Sequence, residues 1–238
     1  MLKMKLHFAV CALVMIFGAT SFIYAQKSAV ANKDEDLVSR QLENVQIEGQ
    51  GIEALLTDLS LSYNIPIGLE MAPNDDEFTT YTLGLKKGTL TDLLAQFVRQ
   101  HNQYTWEIKE GAVNVFPTSN YRDAVLDELL NVQISKFSVK ENSGCRALVD
   151  SLTNTVEVQK LLKTHGITHS GPNFSGAYFP QVGRHFKLDV SDMTVKTILN
   201  KVIKESPIAK IWLIKKYSLD QSFVIRLNAR HEEFSTNH

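Results

Sequence analysis

The chain has 238 residues, 25 basic and 26 acidic side chains, a formal net charge of −1 and 44% hydrophobic residues. So even a charge balance argues against nucleic-acid binding by bulk charge, and the hydrophobic content argues against a disordered chain or a multi-span membrane protein.

Lys3 and Lys5 precede an apolar run over residues 6–17, and Gly18, Thr20 and Ser21 interrupt it ahead of Ala25 and Gln26. That is the layout of a secretory signal peptide spanning residues 1–25, cleaved between Ala25 and Gln26. Cleavage would leave 23 basic and 26 acidic side chains and remove Cys11, so Cys145 would have no disulfide partner. The competing reading is an uncleaved anchor over residues 6–25, which is just long enough to span a bilayer. A lipoprotein is disfavoured, because Val10 rather than a small residue precedes Cys11. The expected location is periplasmic or secreted, with no membrane span in the mature chain.

The remaining elements come in two similar series. Val45-Gln46-Ile47 alternates as a strand and leads into the helical start Gly51-Ile52-Glu53-Ala54-Leu55-Leu56; an apolar strand follows at residues 65–69. Residues 81–85 form another strand pattern, and Leu90, Leu93, Leu94, Phe97 and Val98 mark one face of an amphipathic helix capped by Thr89. A break at His101-Asn102 precedes a strand carrying Trp106, and Val113-Asn114-Val115 closes the unit. A polar linker is expected over 118–128.

The second series begins with Phe137-Ser138-Val139 and Gly144-Cys145-Arg146-Ala147-Leu148-Val149. It resumes at residues 186–190, with Thr194 capping a helix marked by Val195, Ile198, Leu199, Val202 and Ile203. Ser206-Pro207, a strand with Trp212 and Phe223-Val224-Ile225 complete it. An Asn-Val-Gln-Ile tetrapeptide recurs at Asn44 and Asn131, but it needs a longer insertion before the helix than the Phe137 register does, so it is read as coincidence. The expectation is an α+β fold of two tandem βαβ-βαββ modules, 42–117 and 129–227, with strands packed on amphipathic helices and a polar tail over 228–238.

The run Gly49-Gln50-Gly51-Ile52 with Ala54-Leu55, the strand Ile65-Pro66-Ile67-Gly68-Leu69, the segment Leu83 to Leu94 containing Gly88-Thr89-Leu90, Trp106 and the closing Val113-Asn114-Val115-Phe116-Pro117 resemble the short N-terminal (STN) domain shared by secretins and TonB-dependent signalling transducers. The resemblance covers residues 42–117 well; over 136–227 it rests on the internal repeat. It implies a small periplasmic module that binds other proteins and carries no catalysis. Within the 238 residues, a polar tail rather than a secretin pore or a TonB plug or barrel is expected after residue 227.

Gly49-Gln50-Gly51 lacks the third glycine of a dinucleotide fingerprint, although Glu70 lies near the distance of its acidic partner. Cys145 at a helix start, with His165, His169 or His185 as base, would suit a cysteine hydrolase. Its equivalence to Ile52 instead makes it a small buried hydrophobe. His165 and His169 have a metal-gripping i, i+4 spacing, but Gly166 lies between them. No catalytic residue, cofactor or metal is therefore assigned.

Two features suit partner binding. A loop over 164–183 carries Phe174, Tyr178 and Phe179. Residues 26–128 hold 8 basic and 17 acidic side chains, net −9, whereas 184–230 hold 10 and 4, net +6; Lys196, Lys201 and Lys204 lie off the apolar stripe of the last helix. The expected function is a non-enzymatic extracytoplasmic protein-interaction module of an envelope assembly or signalling system. Its partners would be envelope proteins or further copies of itself, with no nucleic acid. The alternatives are a binder of anionic envelope polymers and, less favoured, a Cys/His-dependent hydrolase.

Overall fold

The structure is a computed structural model and describes residues 34–73, 78–141, 143–170, 186–217 and 221–229. The fold is α+β. The first half runs β1 (Gln41–Gln50), α1 (Gly51–Tyr63), β2 (Ile67–Glu70), β3 (Thr80–Thr89), α2 (Leu90–Gln100), β4 (Tyr104–Lys109) and β5 (Ala112–Pro117). Where the polar linker was expected, α3 (Ala124–Leu130) forms; the Asp123 side chain accepts from the Val125 and Leu126 N–H groups and caps it, and Leu126, Leu129 and Leu130 are buried. The second half runs β6 (Gln133–Val139), α4 (Cys145–Thr153), α5 (Val156–His165), β7 (Thr168–His169), β8 (Leu188–Thr194), α6 (Val195–Glu205), β9 (Ala209–Tyr217) and β10 (Ser222–Ala229). Apart from α3 and the split of one helix into α4 and α5, the two halves share one element order.

Local chemistry explains the matching ends. Thr89 and Asp92 form a reciprocal capping box on α2, and Thr194 Oγ1 accepts from the Thr197 N–H on α6. Helices α1 and α5 both end on a left-handed residue, Asn64 and Gly166, and the following Ile65 and Ile167 N–H groups return to the carbonyls of Ser60 and Leu162. Leu42, Val45 and Ile47 point inward from β1 with the same spacing as Ile134, Phe137 and Val139 in β6. That spacing fits the Phe137 register and leaves the repeated tetrapeptide out of step.

β1 pairs antiparallel with β3, and β6 with β8, as two ribbons. The remaining strands form one sheet in the order β4-β5-β2-β9-β10-β7. The pairing β2–β9 joins the halves in parallel, through Ile67↔Ile211, Gly68↔Trp212, Leu69↔Leu213 and Glu70↔Ile214. Strands β5, β2 and β9 run one way and β4, β10 and β7 the other. The triplet β9-β10-β7 therefore repeats β4-β5-β2 with every direction reversed, as a half-turn about an axis across the strands would produce.

A half-turn also exchanges the faces of a sheet, and the cores follow it. Ile211 and Leu213 of β9 join the core beneath α1 and α2, while Trp212 and Ile214 join the core beneath α4 to α6. The successive side chains of β9 thus serve opposite halves. The Trp212 indole lies across Gly68, where a Cβ would come within 2.4 Å of the ring, and its Nε1–H donates to Asn200 Oδ1 at 2.8 Å. Polar contacts cross the seam on both faces: Arg226 pairs with Glu53 at 3.0 Å, and Lys196 with Glu107 at 2.8 Å.

Candidate functional site

An open groove of about 830 Å³ lies beside β7, walled by α4 and α5 and lined by Asp150, Asn154, Val156, Lys160, Ile167 and His169 among others. Val156 stands 81% exposed on its rim. The His169 ring packs on Phe223 with centroids 5.2 Å apart, and its Nε2 is buried with no hydrogen-bond partner among the described residues. Burial pushes its pKa below the usual histidine value, with Asp150 opposing and Arg146 assisting.

Backbone geometry gives this groove its meaning. The Thr168 and Ser170 N–H groups donate to Gln221 and Phe223 carbonyls on one side of β7. Successive peptide groups of a strand point to opposite sides, so the His169 N–H and C=O face away from β10, towards the side of β7 that carries no strand among the described residues. In the first half the corresponding side of β2 is filled: the Met71 N–H donates to Ile214 O at 2.9 Å. Ser60 Oγ, on α1, shares its proton between the carbonyls of Ile65 and Lys210 at 2.7 and 2.8 Å. One half thus grips a strand at the place where the other presents a groove.

A second constellation lies where β2 ends. Glu70 is only 2% exposed, and Arg122 Nε lies 3.8 Å from Oε1, within ion-pair range but too far for a hydrogen bond. Burial pushes the Glu70 carboxyl up to about 7; Arg122 opposes this and Asp127 adds to it. Arg122 is held instead by Asp127 at 2.7 Å and sits over the Phe116 ring. Nearby Asp123 is pushed up by burial, but Lys216 at 2.8 Å and the Val125 and Leu126 N–H groups bring its net value below the usual carboxylate range. Glu70 can therefore hold or release a proton near neutral pH. The sequence offered it only as a weak ribose-binding candidate.

The residues singled out from the sequence are scattered through the fold. Gly49 sits where a Cβ would meet the Leu55 backbone nitrogen of α1 at 2.2 Å, so this glycine serves close helix–strand packing. Cys145 is 5% exposed in the core beneath α4, as Ile52 is buried beneath α1, and burial pushes its thiol up to about 12. His165 Nε2 meets Glu128 Oε2 at 2.9 Å, while His169 packs on Phe223, so the histidine pair is divided between two settings. Residues 164–170, expected as part of a loop, are the end of α5, a turn and β7. Phe174, Tyr178, Phe179 and His185 lie outside the described residues, as do Ala25 and Gln26.

The expected solvent-facing row of lysines is corrected by the structure. Lys196 binds Glu107 and lies over the Phe116 ring, Lys204 donates to Glu110 O at 3.0 Å, and Lys201 pairs within α6 with Glu205. Helical periodicity shows that these residues leave their own core. It cannot show that the strands of the other half lie beneath two of them.

Cys145 yields a first test. The native protein should resist a thiol reagent until it unfolds, and Cys145→Ala should cost about 1–3 kcal/mol, the range for a small buried truncation. Labelling of the folded chain at the rate of a free thiol would contradict the burial.

No family model matches the chain, and no curated protein or solved structure matches it. Among the described residues, no helix is long and apolar enough to cross a membrane.

Proposed function

We propose that this chain is a non-enzymatic protein-interaction module working outside the cytoplasm, in an envelope assembly or signalling system. The groove beside β7 carries the reading: it occupies the place at which the first half binds β9, so it has the geometry to accept an extended segment of a partner. The resemblance of residues 42–117 to the STN domain supports the same class and compartment, and the apolar run over residues 6–17 supports export.

The test is site-specific photocrosslinking in cells that produce the full chain. A photoreactive residue at Val156, on the groove rim, should give a discrete higher-mass adduct with a protein. The same probe at Lys87, on the β1–β3 ribbon where it meets Glu43, should not. Absence of any adduct at Val156, or the same adducts from both positions, would overturn the reading.

A further inference from the structure

The half-turn that relates the two triplets of strands can be applied once more. It carries β9, seated against β2, onto a strand seated against β7 and parallel to it. In a second copy of the chain, the strand with that position and direction is β4. Within one copy β4 and β7 are the two outer strands of the sheet, and among the described residues neither has a strand on its outer side.

The hydrogen-bonding parity agrees. Thr118 N–H donates to Gln103 O, so positions 103 and 118 bond directly; in the register of β4 with β5, Thr105, Glu107 and Lys109 then bond β5 while the Trp106 and Ile108 peptide groups face outward. In β9 the Ile214 carbonyl faces β2, as the Met71 bond shows, and alternation puts the Trp212 peptide on the same side. Each tryptophan thus marks the binding parity of its strand.

We infer that β7 and its groove bind the β4 edge of a second copy of this chain in parallel, extending the sheet head to tail. The His169 N–H and C=O supply the first ladder bonds, and α5 covers the incoming strand as α1 covers β9. The contact is heterologous, because the β7 edge of one copy meets the β4 edge of the next. Two half-turns amount to a translation plus the twist of the sheet, so the product is an open filament rather than a closed dimer. The inference rests on the protein-binding reading above and names the partner.

The experiment is sedimentation velocity on the purified full chain over a wide concentration range, with two edge variants. Ile108→Pro removes an outward N–H from β4, and His169→Pro removes the outward N–H of β7; an edge strand tolerates proline on its outer side. Wild type should form a concentration-dependent series of oligomers. Each variant alone should remain monomeric, weakened at least about tenfold, the equivalent of a single lost hydrogen bond of ordinary strength. Mixed, the variants should form a one-to-one dimer and nothing longer, because one retains the acceptor edge and the other the donor edge.

A second measurement needs no edge variant. The Val156 photoprobe in the purified chain should join the 104–109 segment of another copy. A purified chain that stays monomeric throughout, while Val156 still crosslinks a different protein in cells, would overturn self-assembly and leave the binding reading intact. Loss of both would overturn both. Variants that associate as wild type does, or a mixture that stays monomeric, would also overturn the inference.

Discussion

Replacing Trp212 with alanine is expected to destabilise the protein by about 4–6 kcal/mol, a large part of the total stability of a chain this size. The indole is 1% exposed. It lies across Gly68 of the other half, and its Nε1–H is bonded to the buried Asn200. Truncation therefore opens a cavity at the seam and also leaves the Asn200 carbonyl oxygen without its donor. Trp106→Ala should cost about 1–3 kcal/mol, since Trp106 is only partly buried in the core of one half. Denaturant unfolding at matched protein concentration measures both. A Trp212→Ala cost below that of Trp106→Ala would mean that the β2–β9 seam does not hold the halves together.

The second large effect is a dependence on pH. The folded state holds the Glu70 carboxyl at about 7, against an ordinary value of 4.5. The folded chain therefore binds this proton more tightly than the unfolded chain. The stability gained from that proton is fully present below pH 4.5 and is lost as pH rises through 7, by up to about 3 kcal/mol. Glu70→Gln supplies a neutral group of the same shape. It should flatten the dependence between pH 4.5 and 7 and make the variant about 2–3 kcal/mol more stable than wild type at pH 8. Equal stability of the two at pH 8 would show that Arg122 fully compensates the buried charge. Titration of Asp123, whose value is lowered, acts at more acidic pH and has the opposite sign, so the two contributions separate along the pH axis.

Much of the element order was legible in the sequence because it is written in short-range patterns. The stripe Leu90, Leu93, Leu94, Phe97 and its counterpart Val195, Ile198, Leu199, Val202 are buried beneath α2 and α6, and the caps at Thr89 and Thr194 formed where expected. The burial of Cys145 followed from its alignment with Ile52. What was not legible depends on contacts between distant segments. The β2–β9 pairing joins residues more than 140 positions apart, and nothing in Ile65-Pro66-Ile67-Gly68-Leu69 says which strand will lie beside it. For the same reason Lys196 and Lys204 read as solvated, and nothing local to Glu70 announced its burial beside Arg122. The groove was missed because β7 is two residues long, too short for an alternation pattern to register. Gly68 beneath Trp212 is the one local hint at the seam, since glycine inside an apolar strand often marks a close approach by another group.

The central claim is that one edge of the repeated triplet is filled inside the molecule and that its counterpart carries no strand among the described residues. Amide hydrogen exchange at Met71 and His169, measured on dilute protein and again at high concentration, tests it most directly. Met71 N–H is bonded across the seam to Ile214 O, so it should exchange only with global unfolding at either concentration. His169 N–H should exchange quickly in dilute protein and slow as copies associate. A His169 amide as protected as that of Met71 in dilute protein would contradict the account, because the edge offered to a partner would already be occupied.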